Sequence, residues 1–134
     1  MKYRLLDLLA CPMCKNFPLK LIVFSRNTYK RDFKGRKPLC ELWCSFTSRE
    51  IKEFKKEGVE PPCEECFRYE VAEGILICSK CGRWYPIIGE IPRMLPDEYR
   101  KKKDDIEFLK KYKDQIPEEV VLRGLPYNLS SEQS

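Results

Sequence analysis

Apolar residues alternate with polar ones in several short segments of this chain, and a period of two is typical of β-strands with one buried face. Strands are predicted over residues 18–24, 67–71, 75–77 and 84–88, with a turn near Glu73 and Gly74 between the second and third. The pattern therefore favours one small antiparallel sheet.

Helical signals precede and interrupt these strands. Residues 5–10 predict a short helix of about one and a half turns. A second helix is predicted from the capping-box pattern at residues 47–50, with Phe46 and Ile51 placed as a hydrophobic staple and Gly58 able to close the helix. The fold class is therefore α+β, with helices flanking the sheet.

Further helices are predicted after the last strand. Apolar residues recur near helical spacing after Pro96, and this helix is expected to end before Pro117. A short helix follows over residues 117–123, with acidic residues in its first turn and Gly124 at its end. Residues 130–134 are expected to fray.

Composition divides the chain into three parts. Residues 25–66 are largely polar and contain a basic loop of Lys30, Arg31, Lys34, Arg36 and Lys37. We interpret this region as a subdomain inserted into a discontinuous domain of residues 1–24 and 67–96. Residues 97–134 then form a charged helical segment and tail.

Four of the eight cysteines flank most of the chain in two pairs. We call Cys11, Cys14, Cys78 and Cys81 the first quartet. Two residues between paired cysteines let both thiolates reach one ion, and two such pairs form the closed tetrahedral site typical of structural zinc. Gly82 completes one of these knuckles. The first quartet therefore predicts a structural zinc site, with disulfides and free buried thiols as the alternatives.

The other four cysteines lie in the central region. We call Cys40, Cys44, Cys63 and Cys66 the second quartet, and its spacing suits a second zinc site. The acidic residues Glu64 and Glu65 oppose the collection of four thiolates there. The alternative for this quartet is a pair of disulfides. Abundant Lys and Glu with few Asn and Gln are typical of hyperthermophiles, and intracellular proteins of hyperthermophiles can be rich in disulfides.

Several signatures of enzymes are missing from the sequence. The chain has no histidine, so a catalytic metal site with histidine ligands and an open position is hard to build. Its six glycines are spread singly, in neither a dinucleotide fingerprint nor a P-loop, and no serine lies in a nucleophile-elbow context. These observations favour a non-catalytic protein.

Charge and hydropathy bear on whether the protein binds nucleic acid or a membrane. The formal net charge of +5 counts each cysteine as neutral, and each zinc tetrathiolate would lower that charge by about two. The argument for nucleic-acid binding from charge alone is therefore weak. No apolar run reaches the length needed to cross a bilayer, so we expect a cytoplasmic protein without membrane association.

Two blocks of sequence resemble the small zinc-binding activator subunit of tRNA methyltransferases. Residues 5–15, LLDLLACPMCK, and residues 74–95, GILICSKCGRWYPIIGEIPRML, match that family in order. The resemblance implies a zinc-ribbon-like domain with a central insertion. It also implies a heterodimer with S-adenosylmethionine-dependent methyltransferases that modify tRNA, rRNA or translation release factors, in which the partner carries the chemistry. Family members usually lack four cysteines in the insertion and have a shorter C-terminal segment.

The resemblance further implies that the small sheet joins a sheet edge of the partner and covers apolar surface there. The apolar stretch placed to do so, here called the docking stretch, comprises Tyr85, Ile87, Ile88, Gly89, Ile91, Pro92, Met94 and Leu95. The alternative is that these residues fill the core of the protein itself.

Three further interpretations of the residues stay open. Lys101, Lys102, Lys103 and the basic loop could extend the partner's grip on RNA phosphates, so that RNA binds only through the complex, although acidic neighbours make solvated helix faces the simpler interpretation. A free-standing zinc ribbon could stack Trp84 and Tyr85 on bases. A rubredoxin-like electron carrier would hold iron in the first quartet.

Overall fold

The computed structural model describes residues 1–33, 35 and 37–130. Its strands are β1 (Lys20–Thr28), β2 (Trp43–Cys44), β3 (Arg49–Glu50), β4 (Tyr69–Ile77), β5 (Trp84–Ile88) and β6 (Ile91–Pro92). Strands β1, β4, β5 and β6 form one sheet in that order, with every neighbouring pair antiparallel, and β2 pairs with β3 separately. The predicted small antiparallel sheet is confirmed.

Helices lie before, between and after the strands. A 3-10 helix, Tyr3–Asp7, opens the chain, and a second one, Asp97–Tyr99, follows the sheet. The α-helices are α1 (Ile51–Glu57), α2 (Cys63–Phe67), α3 (Lys102–Tyr112) and α4 (Glu118–Arg123). The α+β class and the two predicted C-terminal helices are confirmed. Within the described part of the chain, no helix combines the length and apolar character that a membrane span requires.

Each face of the sheet packs against a different part of the chain. Successive side chains of a strand point to opposite faces, so β4 directs Leu76 to one core and Ile75 to the other. The first core lies under the N-terminal segment and contains Leu6. The second core lies under α3 and α4, where Trp84 stacks on Phe108 with ring centroids 5.6 Å apart. The sheet is therefore covered on both faces by its own chain.

The turn predicted near Glu73 and Gly74 is wrong, because β4 continues through both residues. A Cβ at position 74 would lie 2.7 Å from the carbonyl oxygen of Ile22. The register between β1 and β4 shifts just beside this contact, between Val23 and Ser25. Gly74 therefore permits a close approach of two strands at a bulge rather than a change of direction.

The capping box predicted at residues 47–50 is also wrong. Ser48 has a positive φ of 57°, and the next two residues form β3 before α1 begins. No side chain caps α1, whose N-cap is Glu50. The end of the helix is as predicted, since Gly58 adopts the left-handed conformation at its C-cap.

Two other boundaries differ from the sequence pattern. The helix predicted over residues 5–10 is the 3-10 helix that begins at Tyr3, and β1 continues to Thr28, past the start of the predicted insertion. Lys34, Arg36 and residues 131–134, which belong to the predicted basic loop and the predicted frayed end, lie outside the described residues.

A buried ion pair joins the C-terminal segment to the sheet. The guanidinium of Arg100 lies 2.8 Å from the carboxylate of Asp105, and the two side chains are only 2% and 6% exposed. Burial raises the pKa of Asp105 even though Arg100 opposes that shift. Arg100 also donates to the carbonyl oxygen of Trp84 at 2.7 Å. The two residues of this pair flank Lys101, Lys102 and Lys103 in a charged stretch for which solvated helix faces were the simpler interpretation of the sequence, yet both are buried.

Replacement of Asp105 by Leu is expected to lower the free energy of unfolding by about 3–5 kcal/mol, because it leaves Arg100 buried without a counter-charge. The double variant Arg100→Met/Asp105→Leu should lose less than Asp105→Leu alone, since no buried charge remains. Denaturant unfolding measures both. The matched control is Glu53→Leu, which breaks the exposed pair with Arg49. It should lower the free energy of unfolding by less than about 1 kcal/mol. A double variant as unstable as the single one would contradict this account.

Candidate metal centre

Two cysteine knuckles with the same backbone geometry meet at one end of the sheet. The first knuckle lies between the opening 3-10 helix and β1, and the second joins β4 to β5. In each, the residue after the second cysteine has a positive φ, 66° at Lys15 and 77° at Gly82. The N–H of Lys15 donates to the carbonyl oxygen of Cys11, and that of Gly82 donates to the carbonyl oxygen of Cys78. The knuckles are thus two copies of one turn.

The sulfur atoms of the first quartet converge. All four lie within 4.8 Å of one another. The Sγ atoms of Cys11 and Cys81 are 3.7 Å apart, and those of Cys14 and Cys78 are 3.4 Å apart. Sulfur atoms at the corners of a tetrahedron around zinc, with Zn–S bonds of about 2.3 Å, would be about 3.8 Å apart. The first quartet is therefore brought together as predicted, and its donor set and spacing suit a metal ion.

The electrostatics of these thiols also fit a bound cation. Burial raises the pKa of Cys11, but hydrogen bonds from the Tyr85 hydroxyl and from backbone N–H groups outweigh it and lower that pKa to about 6. The N–H of Asn16 lowers the pKa of Cys14, yet burial and the neighbouring cysteines together raise it to about 12. One thiolate thus forms easily while the next is opposed, so a cation is needed before all four ionise.

The second quartet is buried but less tightly grouped. Its four cysteines are free thiols with 6–8% exposure. The backbone N–H of Leu39 donates to the Sγ of Cys63 at 3.5 Å, and Lys37 pairs with Glu64, so the chain segments that carry the two pairs of this quartet are adjacent. Among the described residues, the first quartet is the group in which at least three possible ligand atoms lie within 4.8 Å of one another. The second quartet does not meet that distance.

Asp7 positions the loop that carries Cys40 and Cys44. Its carboxylate accepts hydrogen bonds from three successive backbone N–H groups, those of residues 41–43, at 2.7–2.8 Å. Sequence reasoning missed this role. The one available signal was an acidic residue inside the apolar run of residues 5–9, where an amphipathic helix alone does not explain it.

The docking stretch is divided between the core and the surface. Tyr85 and Ile87 are buried in the first core. Ile91 is 64% exposed and Leu95 is 42% exposed. Gly89 is exposed, while Ile88, Pro92 and Met94 are partly buried. The stretch runs through β6, an edge strand of the sheet.

The structure also bears on base stacking. Trp84 and Tyr85 are 0% and 1% exposed, because Trp84 lies in the second core and Tyr85 in the first. Neither ring can stack on a nucleotide base without leaving its core. The residues on which the nucleic-acid alternative depended are therefore inaccessible in this fold.

Comparisons with known proteins agree with this architecture. The sequence model of the Trm112p-like protein family matches residues 2–90. A chain in the solved structure of the E. cuniculi Mtq2–Trm112 complex, which is responsible for the methylation of the eRF1 translation termination factor, is 27% identical to this chain. That match covers 71% of this chain and 95% of the other, with a TM-score of 0.53. A search of curated proteins gave no match.

The family match includes both knuckles of the first quartet, the whole insertion and the start of the docking stretch, and it ends before the second 3-10 helix. The resemblance inferred from residues 5–15 and 74–95 is confirmed, as is the prediction of a regulatory subunit rather than an enzyme. The chain therefore belongs to the Trm112p-like family, the non-catalytic activator partners of methyltransferases.

Proposed function

We propose that this subunit forms a heterodimer with one or more S-adenosylmethionine-dependent methyltransferases that act on tRNA, rRNA or a translation release factor. The observation that carries the proposal is the likeness to a chain of the E. cuniculi complex that methylates eRF1. Cytoplasmic placement, beside the translation apparatus, is part of the same proposal. The partner binds the methyl donor and performs the transfer, and this subunit stabilises it.

The docking stretch supplies the contact with the methyltransferase. Ile91 and Leu95 are large apolar side chains exposed next to the free edge of β6. A strand added to that edge would gain backbone hydrogen bonds, although Pro92 has no N–H to donate, and the two side chains would lose contact with water. Tyr85 and Ile87 have a different role, because they support the stretch from the first core without reaching the partner.

Zinc is the metal that the first quartet takes in this proposal. Four thiolates and no open position form a closed structural site, which shapes the end of the sheet and takes no part in methyl transfer. Iron in the same site would make the protein a rubredoxin-like carrier, and a tetrathiolate does not choose between the two metals by geometry alone. Purified protein that is colourless and contains stoichiometric zinc would support the structural role, whereas a red protein would indicate iron.

A second zinc at the second quartet belongs to the proposal as well. Burial, followed by the charge of neighbouring groups that include the other cysteines, raises the pKa of both Cys40 and Cys66 to about 12. Such thiols ionise at neutral pH only when a cation joins them. Among the described residues, the small core beside Cys40 and Cys44 contains Ile51 and Phe54, with Phe46 packed against it, while Cys66 belongs to the first core. This region therefore has few apolar contacts of its own to stabilise it.

Contact with RNA is a secondary part of the proposal. Lys101, Lys102 and Lys103 are exposed and available to phosphates of an RNA held by the partner. Arg100 is buried and cannot contribute. In the basic loop, Arg31 pairs with Glu70 and Lys37 with Glu64, which reduces the free positive charge there.

Removal of the metal from the first quartet is expected to abolish cooperative unfolding of the sheet. The binding free energy of a structural zinc, about 10 kcal/mol or more in small zinc peptides, is largely folding free energy. The measurement is thermal unfolding by circular dichroism before and after a strong chelator, with zinc added back as the control. An unchanged strand signal and transition after complete removal of the metal would contradict the structural role.

Elemental analysis should find two zinc ions per chain. Replacement of Cys40 and Cys66 by Ser should remove one ion and leave the sheet folded, whereas replacement of Cys11 and Cys81 by Ser should remove the other and unfold the sheet. The matched pair of variants assigns each ion to its quartet. One zinc per native chain, unaffected by Cys40→Ser/Cys66→Ser, would refute the second site without touching the first.

The variant Ile91→Glu/Leu95→Glu should fold normally and lose the methyltransferase. Both side chains are exposed, so the charges cost little in the free subunit but face an apolar surface in the heterodimer. Co-expression with an Mtq2-like methyltransferase of the same organism, followed by size-exclusion chromatography and a methyl-transfer assay, gives the readout. Leu122→Glu, at an exposed leucine of α4, is the matched control. Equal binding by both variants would place the contact elsewhere.

A further inference from the structure

A bidentate ion pair between Arg83 and Asp97 joins the end of the second knuckle to the residues after β6. The guanidinium of Arg83 donates to both carboxylate oxygens of Asp97, with Nε–Oδ1 at 2.8 Å and Nη2–Oδ2 at 2.7 Å. The backbone carbonyl oxygen of Arg83 accepts a hydrogen bond from the N–H of Cys78 at 2.8 Å. A two-point contact between guanidinium and carboxylate fixes orientation as well as charge. Arg83 thus joins a metal-ligating residue to the start of the C-terminal segment.

The opposite side of the same turn is held by the backbone of Leu125. The N–H of Leu125 donates to the carbonyl oxygen of Gly82 at 3.0 Å, and the N–H of Trp84 donates to the carbonyl oxygen of Leu125 at 3.2 Å. The contact is close, because a Cβ at Gly124 would lie 2.8 Å from Cδ1 of Trp84. Residues 82–84 therefore pair with the chain just after α4.

Arg100 makes the third contact. It donates to the carbonyl oxygen of Trp84 at 2.7 Å, and its guanidinium lies 4.7 Å from the centre of the Trp84 ring. Asp97, Arg100 and Leu125 all lie beyond residue 90, where the family match ends. The turn that leaves Cys81 is consequently enclosed by a segment outside the part of the chain that the family model matches.

We propose that the C-terminal segment is a brace for the metal centre, with Asp97 as its principal positioning residue. Through Arg83, Asp97 holds Cys81 and the turn after it in the geometry in which the first quartet binds its ion, and so slows the loss of that ion. The same contacts raise the equilibrium affinity for the ion, and because coupling between binding free energies is reciprocal, the ion must stabilise the docked segment by the factor by which its affinity rises. The proposal does not depend on the identity of the methyltransferase.

The test measures the rate at which excess chelator removes zinc from the full-length chain. All variants are made in a Cys40→Ser/Cys66→Ser background, so that only the first quartet binds zinc. Asp97→Asn keeps the shape of the side chain and removes its charge. We expect about tenfold faster release, which corresponds to about 1.4 kcal/mol in the barrier. Asp97→Glu, which restores the charge, should recover part of the difference. Glu53→Gln, which weakens the exposed pair with Arg49, should release zinc at the parent rate.

Cobalt substitution separates positioning from general stability. The visible bands of cobalt in a thiolate site report the arrangement of its ligands, so they should shift in Asp97→Asn and stay unchanged in Glu53→Gln. If Asp97→Asn lowers the thermal transition but leaves both the release rate and the cobalt bands as in the parent, Asp97 is merely structural and the proposal is overturned.

Hydrogen exchange on the unsubstituted chain gives an independent test that needs no variant to fold. Removal of zinc should speed exchange at the amides of Arg100 and Leu125 at least as much as at the amides of β1. If those two amides exchange as slowly in the metal-free chain as in the zinc-bound chain, the C-terminal segment packs against the turn independently of the ion. That result would also overturn the proposal.

Discussion

The convergence of two cysteine knuckles on one point constrains the rest of the fold. Cys11 and Cys81 are 70 residues apart in the sequence, yet their sulfur atoms are 3.7 Å apart. β1 leaves the first knuckle and β5 leaves the second, and β4 enters the second, so the cysteine end of the sheet fixes where three strands begin or end. Lys20 pairs with Ile77 at that end, and Thr28 pairs with Tyr69 at the other. The chain between β1 and β4 therefore leaves the sheet at the end opposite the first quartet.

Local patterns predicted the element types well, because they report which residues face a core. Strands β1, β4 and β5, the two C-terminal helices and the role of Gly58 follow from periodicity and capping alone, although β4 was predicted as two strands. The first quartet was equally accessible, since the spacing within each pair is a local property of a knuckle. In each case the physical cause lies within a few residues of the pattern.

The failures have long-range causes. Gly74 resembled a turn residue, but its small size serves a close contact with Ile22 on another strand. Two residues of the predicted capping box, Arg49 and Glu50, instead form β3 and pair with β2. Asp7 binds backbone groups 34 to 36 residues away. Arg100 lay in a cluster of charges that looked solvated, and only its packing against Trp84 accounts for its burial.

Both faces of the sheet are occupied by the chain itself, the first by the N-terminal segment and the second by α3 and α4. At β6 the described part of the chain leaves an edge of the sheet open, with the exposed apolar side chains of Ile91 and Leu95 beside it. An edge is recognised through backbone groups, which every polypeptide offers whatever its sequence. In the heterodimer proposed above, docking at such an edge would place few demands on the sequence of the partner beyond a free strand and an apolar surface beside it.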